Sequence, residues 1–285
     1  METGTPFDGL RDRKLNNNHA KFGDYILDVL LDFSGKTALI TGAASGFGKS
    51  LAAELAKRGA NLVLADFNEK GLLETVSELK EKGSNVVSLV GDVAEESHSE
   101  ELVALAVKTF GKLDIAVNNA GLAPQLAPLT QLDAKTLDRQ LNVNAKGVAF
   151  GLKHQLRVMA AQRDGAILNV SSMAGLGGTP MGGSYGAAKH AVIGLTKTAA
   201  VECGGMNVRV NAICPFFTAT PMVDNPIMNP KGDIEEVNKN LARGCPMKRI
   251  ARVEEIVSVM VMMLSPANSY MNGIAIPVDG GMSAM

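Results

Sequence analysis

The sequence is poor in cysteine, in histidine and in net charge, and each shortage argues against a class of protein. Its cysteines, Cys203, Cys214 and Cys245, are odd in number and far apart, so we expect free thiols in a reducing compartment and no disulfide framework. The four histidines show no metal-ligand spacing, which predicts no metal site. A formal net charge of −1, with both signs interspersed, predicts neither a nucleic-acid partner nor a polybasic membrane patch.

Targeting and membrane signals are missing as well. The first twenty residues carry several charges and lack the apolar core of a cleaved signal peptide. The run from Ile256 to Val278 is free of charge, but Pro266, Asn268 and Asn272 interrupt it, so a short helix followed by a strand fits better than a membrane span. We therefore expect a soluble, cytoplasmic protein without membrane contact.

Residues 1–34 precede the first strand signal and predict an N-terminal arm. Apolar residues from Phe22 to Phe33 recur at helical spacing, while Asp24, Asp28 and Asp32 fall on another face. This pattern indicates an amphipathic helix that packs on its own domain or on a sister subunit. Its acidic polar face disfavours a membrane surface.

Residues 35–285 alternate strands with helices and contain no linker, which predicts a single domain. The strands show no in-and-out alternation, as is typical of a parallel sheet covered by helices on both faces. A chain of 285 residues with 46% hydrophobic composition can bury one such core. The predicted strands are Ala38–Ile40, Leu62–Ala65, Val86–Val90, Ile115–Val117, Ala166–Val170, Val208–Ile213 and Ile274–Val278, and the helices between them include Lys49–Lys57, Leu137–Ala161 and Tyr185–Val201.

The first strand runs into a loop, Thr41–Lys49, whose glycines follow the spacing Gly-x-x-x-Gly-x-Gly. Gly42 permits a tight turn, Gly46 lets the backbone approach a pyrophosphate, and Gly48 allows close packing of helix on strand. The helix that follows directs N–H donors and a positive dipole end at the phosphates. The loop therefore predicts a dinucleotide-binding site.

The second strand ends at Asp66, about twenty residues beyond the glycines, where an acidic residue binds the ribose hydroxyls and repels a 2′-phosphate. Phe67 follows, where a phosphate-binding arginine would otherwise stand. Both residues favour NAD over NADP, although Asp66 could instead cap the next helix. Asp92 and Asn119 also lie at strand ends, where open α/β sheets bind ligands.

The stretch from Ser171 to Lys189 holds the candidate catalytic residues. Tyr185 and Lys189 are four residues apart, so a helix places them on one face, about one turn apart. A cation beside a phenol lowers a pKa that is normally near ~10, which lets the tyrosine exchange protons near neutral pH. Taken alone, this spacing is a weak signal.

Five motifs stand in order along the chain: Thr41–Gly48, Asn118-Asn119-Ala120-Gly121, Ser172 at thirteen residues before Tyr185, Tyr185-x-x-x-Lys189 and Asn211–Pro215. Together they resemble the motifs of the classical short-chain dehydrogenase/reductase family, and the resemblance extends from Asp32 to Gly281. It implies an α/β protein with a single-domain Rossmann fold, a doubly wound seven-stranded parallel sheet with helices on both faces. It also implies an oxidoreductase, for which Asp66 and Phe67 favour NAD as the cofactor.

The resemblance also implies a role for each matching residue. Tyr185 would be the general acid/base, Lys189 would lower its pKa and bind the nicotinamide ribose, Ser172 would hold the substrate oxygen, and Asn144 would position a water in a proton relay to the lysine. Asp92 and Val93 would contact adenine, Asn119 the adenosine ribose, and Thr218 and Thr220 the nicotinamide half. The full cofactor-binding set is Gly42, Ser45, Gly46, Phe47, Gly48, Asp66, Asp92, Val93, Asn119, Gly121, Tyr185, Lys189, Thr218 and Thr220.

Two residues depart from the family pattern. Phe47 replaces an isoleucine in the glycine loop, where the backbone does the binding. Phe216 replaces the glycine after Pro215, and a glycine there gives the chain freedom to turn beside the nicotinamide. We expect Phe216 to shift this turn or to shape the pocket, which bears on the placement of Thr218.

The segments that would line a substrate pocket, 122–129, 173–181 and 221–244, are rich in leucine and methionine. They predict a hydrophobic secondary alcohol or its ketone as substrate. Lys231, Lys239 and Arg243 leave a 3-oxoacyl thioester reductase as an alternative. A module that binds a dinucleotide without turnover is the alternative from another class, and the intact Ser172, Tyr185 and Lys189 argue against it.

Small residues on two predicted helices permit close packing between subunits. They include Gly147, Gly151 and Gly194. The family resemblance implies that these helices pair into dimers and then tetramers, so we expect a homotetramer.

Overall fold

The computed structural model describes residues 29–223 and 233–285, and a single seven-stranded sheet runs through them. All neighbouring strands are parallel, in the order β3-β2-β1-β4-β5-β6-β7, which confirms the predicted Rossmann fold. The strands are β1 (Thr37–Thr41), β2 (Asn61–Asp66), β3 (Val86–Val90), β4 (Ile115–Asn118), β5 (Gly165–Val170), β6 (Val208–Pro215) and β7 (Ala275–Val278).

Helices cover both faces of the sheet, and each face has its own hydrophobic cluster. Along β1, Ala38 and Ile40 belong to one cluster and Leu39 to the other, so both faces of the strand are apolar and no alternation is visible in the sequence. The helices are α1 (Gly46–Lys57), α2 (Glu69–Glu81), α3 (Glu96–Phe110), α4 (Ala134–Leu141), α5 (Gly147–Gln162), α6 (Gly183–Cys203), α7 (Ile234–Ala242) and α8 (Val253–Leu264). Helices α1, α2 and α8 pack in the first cluster, and α3, α5 and α6 in the second.

Strands β1 and β4 are neighbours in the sheet although they are not consecutive in the chain. The connections leave these two strands in opposite directions, and a crevice opens at their carboxyl ends, which is where open α/β sheets bind ligands. The glycine loop follows β1 and the Asn118–Gly121 segment follows β4. The topology therefore brings the two motifs together.

The range Leu137–Ala161 is helical throughout, as predicted, but a π-helical turn that the sequence did not indicate divides it into two α-helices. Helix α4 ends at Leu141, a π-helical turn occupies Asn142–Lys146, and α5 begins at Gly147. A π-helical turn contains the same kinds of residue as an α-helix, and only its hydrogen bonds differ, because each spans one residue more than in an α-helix. The apolar pattern therefore does not reveal it. A further helix, α7, lies in the segment between Pro221 and Gly244, and the Asp233 side chain caps it by accepting from the Glu236 N–H at 3.0 Å.

Most of the helix predicted over Phe22–Phe33 lies outside the described residues. The part that is described differs from the prediction, because a single 3₁₀ turn occupies Val29–Leu31. Asp32 then accepts a hydrogen bond from the Ser34 N–H at 2.9 Å, an aspartate turn that ends the helical path. Phe33 is completely buried in the core, and its N–H donates to the Arg58 carbonyl at 3.0 Å. The end of the predicted arm is thus part of the domain.

None of the helices in the described ranges is long and apolar enough to cross a membrane. The uncharged run from Ile256 onward instead forms most of α8, a loop and β7, as its interruptions predicted.

Candidate active site

A cleft of about 950 Å³ opens at the carboxyl ends of the strands. The glycine loop lines one part of it, and Tyr185 and Lys189 line another. Gly48, Asn144, Ser172 and Thr218 are not among the lining residues. Of the predicted site residues, the structure brings to this lining Gly42, Ser45, Gly46, Phe47, Asp66, Asp92, Val93, Asn119, Gly121, Tyr185, Lys189 and Thr220.

The glycine loop is joined to the end of β4 by the amide of Asn119. Its Nδ2 donates to the carbonyls of Thr41 at 2.8 Å and Gly42 at 3.1 Å. A Cβ atom added to Gly42, where φ is +68°, would lie 2.7 Å from this nitrogen. A Cβ atom added to Gly48 would lie at the same distance from it and only 2.1 Å from the Gly42 oxygen. Both positions therefore need glycine because the amide occupies the space of a side chain.

Gly46 is different, because its missing side chain leaves open space. Its φ is +52°, and the nearest atom to an added Cβ would be a Thr220 carbon at 3.8 Å. Helix α1 begins at this residue, so its first N–H groups and its positive dipole end face an uncrowded part of the cleft. This arrangement fits a pyrophosphate group.

Asp66 lies at the end of β2 with both carboxylate oxygens held by the backbone. Oδ2 accepts from the Ala44 N–H and Oδ1 from the Asn68 N–H, each at 2.9 Å. The cap of α2 is Asn68, whose side chain accepts from the Gly71 N–H at 3.2 Å, so Asp66 does not cap that helix. Each carboxylate oxygen keeps further acceptor capacity toward the cleft, which fits the hydroxyls of a ribose.

Tyr185 and Lys189 lie on the first two turns of α6 and meet as their spacing predicts. The Lys189 Nζ is 5.6 Å from the centroid of the Tyr185 ring, and it donates to the Val170 carbonyl at 2.9 Å. Ser172 follows β5, hydrogen-bonds Tyr185, and accepts from the Ala174 N–H at 3.2 Å. The Ser171 hydroxyl donates to the Lys189 carbonyl at 2.9 Å and so ties α6 to the end of β5.

The pKa of Tyr185 shifts in the direction opposite to the one predicted from the lysine. Burial raises the pKa of this phenol, and the hydrogen bond from Ser172 lowers it by less. Burial also lowers the pKa of Lys189 to about 8. The expectation that the ammonium group sets the phenol pKa is wrong for this structure, because desolvation penalises both charged forms and dominates each shift.

A thiol lies close to these groups. Cys214 on β6 is completely buried, and burial raises its pKa to about 11, so it stays neutral beside the lysine. All three cysteines are free, as the sequence predicts, and the structure buries each of them.

Asn144 lies in the π-helical turn and is completely buried. Its Oδ1 accepts from the Leu122 N–H at 2.8 Å, and its Nδ2 donates to the Leu122 carbonyl at 3.2 Å. A Cβ added to Gly121 would lie 2.8 Å from this Oδ1 and 3.6 Å from the Lys189 Nζ. Asn144, Gly121 and Lys189 therefore adjoin one another.

Thr218 lies apart from the cleft lining. It is buried, its hydroxyl donates to the Phe216 carbonyl at 3.0 Å, and its backbone pairs with Ala251. Phe216 itself has no positive φ, so the turn after Pro215 forms without the freedom of a glycine. Its ring packs edge-on against Phe217, with centroids 4.7 Å apart.

Two polar residues of the site were not singled out from the sequence. The Thr41 hydroxyl accepts from the N–H groups of Asn119 and Ala120, each at 3.0 Å, and so joins β1 to the segment after β4. Gln140 hydrogen-bonds Asn144. The position of Thr41 at a strand end and the four-residue spacing from Gln140 to Asn144 were the available signals.

No group of three or more His, Cys, Asp or Glu side chains within the described ranges could hold a metal ion.

Comparison with known proteins identifies the family. A family model described as "Enoyl-(Acyl carrier protein) reductase" matches residues 42–283. Levodione reductase of Leifsonia aquatica is 36% identical over 260 residues, which are 88% of this chain and 96% of that protein. Cis-4-hydroxycyclohexanecarboxylate dehydrogenase of Sinomonas cyclohexanicum is 38% identical over 253 residues, 89% and 98% of the two chains. The 3-oxoacyl-(acyl-carrier-protein) reductase FabG of Thermotoga maritima is 36% identical over 248 residues, 87% and 98%.

Solved structures agree with these relatives. The crystal structure of levodione reductase superposes with a TM-score of 0.85 at 35% identity, covering 88% of this chain and 99% of that one. NAD⁺-bound xylitol dehydrogenase superposes with a TM-score of 0.81 at 33% identity, covering 87% and 99%. The chain belongs to the short-chain dehydrogenase/reductase family, a family of oxidoreductases.

The lowered pKa of Lys189 predicts a pH-dependent stability. Below about pH 8, Lys189 is charged in both the folded and the unfolded chain. Between about pH 8 and pH 10.5, Lys189 keeps its proton only in the unfolded chain. The free energy of unfolding of the wild type should therefore rise with pH in this window, relative to Lys189→Met, by about 1–3 kcal/mol. Urea denaturation at pH 7 and pH 10.5 measures the change.

Lys197→Met is the matched control, because Lys197 is an exposed lysine of the same helix. Its stability difference from the wild type should stay constant between the two pH values. An equally constant difference for Lys189→Met would contradict the burial of its charge.

Proposed function

We propose that the protein is an NAD-dependent oxidoreductase that interconverts a hydrophobic secondary alcohol and its ketone by hydride transfer. The observation that carries the proposal is the position of Tyr185 and Lys189 in a cleft that the glycine loop and Asp66 also line, with Ser172 hydrogen-bonded to Tyr185. A dinucleotide fits the open cradle at Gly46, and the catalytic side chains lie at the other part of the same cleft.

The side chains support acid–base catalysis at the alcohol oxygen. Ser172 would hold that oxygen, and Tyr185, in its phenolate form, would take the proton as the C–H electron pair leaves the carbinol carbon as hydride. In the reverse direction Tyr185 returns the proton, and Ser172 donates to the developing oxyanion. When bound, the oxidised nicotinamide supplies the hydride acceptor and a positive charge. Lys189, with its Nζ 5.6 Å from the phenol ring, stabilises the phenolate that forms in each cycle.

Asp66 supports NAD as the cofactor. Its two oxygens are fixed by the Ala44 and Asn68 N–H groups, so the carboxylate cannot turn away from a ribose placed beside the glycine loop. A 2′-phosphate would meet this negative charge. The NAD⁺-bound state of the related xylitol dehydrogenase agrees with this preference.

Apolar side chains on the segments around the cleft support a hydrophobic substrate. Leu122 and Met222 line the cleft, and Leu126, Leu176 and Met181 are exposed on the neighbouring segments. The Ala127 N–H donates to the Met181 carbonyl at 2.8 Å, which joins the two segments. Cis-4-hydroxycyclohexanecarboxylate, in the name of one relative, is a secondary alcohol on a hydrocarbon ring.

Reduction of a 3-oxoacyl thioester is the second candidate, because the Thermotoga maritima relative carries that activity in its name. A phosphate-bearing carrier would meet the segment 221–244, where Lys239 lies on α7 and Arg243 directly follows this helix. The third cation of this segment, Lys231, lies outside the described residues. Parallel assays with cyclic alcohols and with acetoacetyl-coenzyme A distinguish the candidates. Cofactor binding without turnover on either panel would support the non-catalytic module.

Removal of the Tyr185 hydroxyl should abolish most turnover. Tyr185→Phe keeps the ring and its packing but cannot exchange a proton, so kcat should fall by about 10²–10⁴-fold while NADH binding, followed by its fluorescence, is retained. Tyr270→Phe is the matched control, because Tyr270 is completely exposed and should leave kcat unchanged. Near-normal activity of Tyr185→Phe would falsify the mechanism.

Neutralising Asp66 should relax the cofactor preference. In Asp66→Asn the repulsion of a 2′-phosphate is lost, so the ratio of kcat/KM for NAD to that for NADP should fall on the order of 100-fold. Glu69→Gln, the same charge change in the first turn of α2, is the control and should leave the ratio unchanged. A wild type that prefers NADP would contradict the role given to Asp66.

The proposal includes a homotetramer built on α5 and α6. The small residues of the two helices are not equivalent, because a Cβ on Gly147 or Gly151 would meet Val93 or Asn118 of the same domain. A Cβ on Gly194 would meet no atom within 4 Å, and Val201 at the end of α6 is 85% exposed. Helix α6 thus offers the outward surface that a partner subunit needs.

Gly194→Arg should dissociate this assembly. Light scattering should give four chains for the wild type and fewer for the variant, because the long charged side chain separates the paired helices. Gly205→Arg, at another glycine with no neighbouring atoms, is the control. A monomeric wild type would rule out the homotetramer.

A further inference from the structure

Gln140 occupies the last turn of α4, behind the cleft, and is 4% exposed. Its side-chain amide makes two hydrogen bonds with the surroundings of the site. Oε1 accepts from the Asn144 Nδ2 at 2.5 Å, and Nε2 donates to the Ala123 carbonyl at 2.7 Å. The acid–base steps above do not use this residue, so its burial as a polar group needs another reason.

The contacts determine the orientation of both amides. Asn144 turns its oxygen to the Leu122 N–H and its nitrogen to the Leu122 carbonyl and the Gln140 oxygen. Flipping either amide would set donor against donor or acceptor against acceptor. Because an unpaired buried polar group costs about 1–3 kcal/mol, the pair locks into one arrangement.

This pair of amides holds the segment 121–123, which follows β4 and lies next to Lys189. Asn144 binds both backbone groups of Leu122, and Gln140 binds the carbonyl of Ala123. A Cβ added to Gly121 would lie 2.8 Å from the Asn144 Oδ1 and 3.6 Å from the Lys189 Nζ, so Gly121 adjoins both groups. Gly121 and Leu122 also line the cleft. A shift of this segment would therefore move the cleft wall beside the lysine.

We propose that Gln140 is a positioning residue for the reaction, which keeps Asn144 and the segment 121–123 in register with Lys189 and Tyr185. The inference rests on the proposed function. Its consequence is a loss in kcat that exceeds any rise in KM for the dinucleotide, because within the described ranges the glycine loop and Asp66 share no hydrogen bond with Gln140.

The chain contains a second glutamine with a similar pair of hydrogen bonds, which serves for comparison. Gln162 at the end of α5 accepts from the Leu113 N–H at 3.0 Å and donates to the Leu113 carbonyl at 2.8 Å, just before the opposite end of β4. Gln162→Met removes the same two kinds of hydrogen bond far from the cleft. Because Gln162 is exposed and Gln140 is buried, Gln162→Met should cost less stability than Gln140→Met, and an effect on kcat should be confined to Gln140.

The experiment compares the wild type with Gln140→Met, Gln140→Glu and Gln162→Met. Gln140→Met should lower kcat on the order of 10- to 100-fold. Gln140→Glu keeps the oxygen that accepts from Asn144, and when protonated it can also donate to the Ala123 carbonyl, so it should retain more activity than Gln140→Met at low pH. Gln162→Met should match the wild type. Hydrogen exchange in the absence of cofactor adds a readout independent of activity. The Leu122 N–H should exchange at least tenfold faster in Gln140→Met, while the amides of β4 stay protected.

The outcomes separate this inference from the proposed function. A wild type that turns over no alcohol or ketone would overturn the proposed function, and this inference with it. An active wild type with Gln140→Met within about twofold of its kcat would overturn the inference alone. Unchanged exchange at Leu122 would do the same, because it would show that Gln140 does not hold Asn144.

Discussion

The amide of Asn119 joins the two strand ends between which the cleft opens. It donates to the carbonyls of Thr41 and Gly42, while the Thr41 hydroxyl accepts from the backbone on the other side of the junction. This junction explains two of the three glycines of the loop, because the amide leaves no room for a Cβ on Gly42 or Gly48. The third glycine, Gly46, stays open toward the cleft. One interaction between two motifs thus shapes the loop to which we assign the dinucleotide.

Burial controls the electrostatics at the other part of the cleft. It raises the pKa of Tyr185, lowers that of Lys189 to about 8, and raises that of the Cys214 thiol to about 11. All three shifts favour the neutral form of each group. An environment that disfavours isolated charge strengthens every interaction with charge that is introduced there, which is the condition for stabilising a phenolate or an oxyanion by fixed neighbours.

The sequence sufficed for the sheet and for the grouping of the main site residues, because strands buried on both faces and glycine loops leave clear patterns. It could not reveal the π-helical turn at Asn142–Lys146, since such a turn keeps a helical composition. The strand-end position of Thr41 and the spacing of Gln140 to Asn144 were only weak signals of their roles, because the other partners of both residues are backbone groups, which carry no residue identity. The predicted direction of the Tyr185 pKa shift was wrong, because burial decides it and not the spacing to Lys189.

A buried network beneath the cleft makes the placement of α5 and α6 specific. Asn118 on β4 exchanges hydrogen bonds with Gln155 on α5 and donates to Asn169 on β5, which donates to Thr196 on α6. All four side chains are buried, and a shift of either helix by one residue would leave several of their polar atoms unpaired. Tyr185 and Lys189 also lie on α6, two to three turns before Thr196. The hydrogen bonds that set the register of this helix therefore also set the positions of Tyr185 and Lys189. Polar groups that do not line the cleft thereby determine where Tyr185 and Lys189 stand in it.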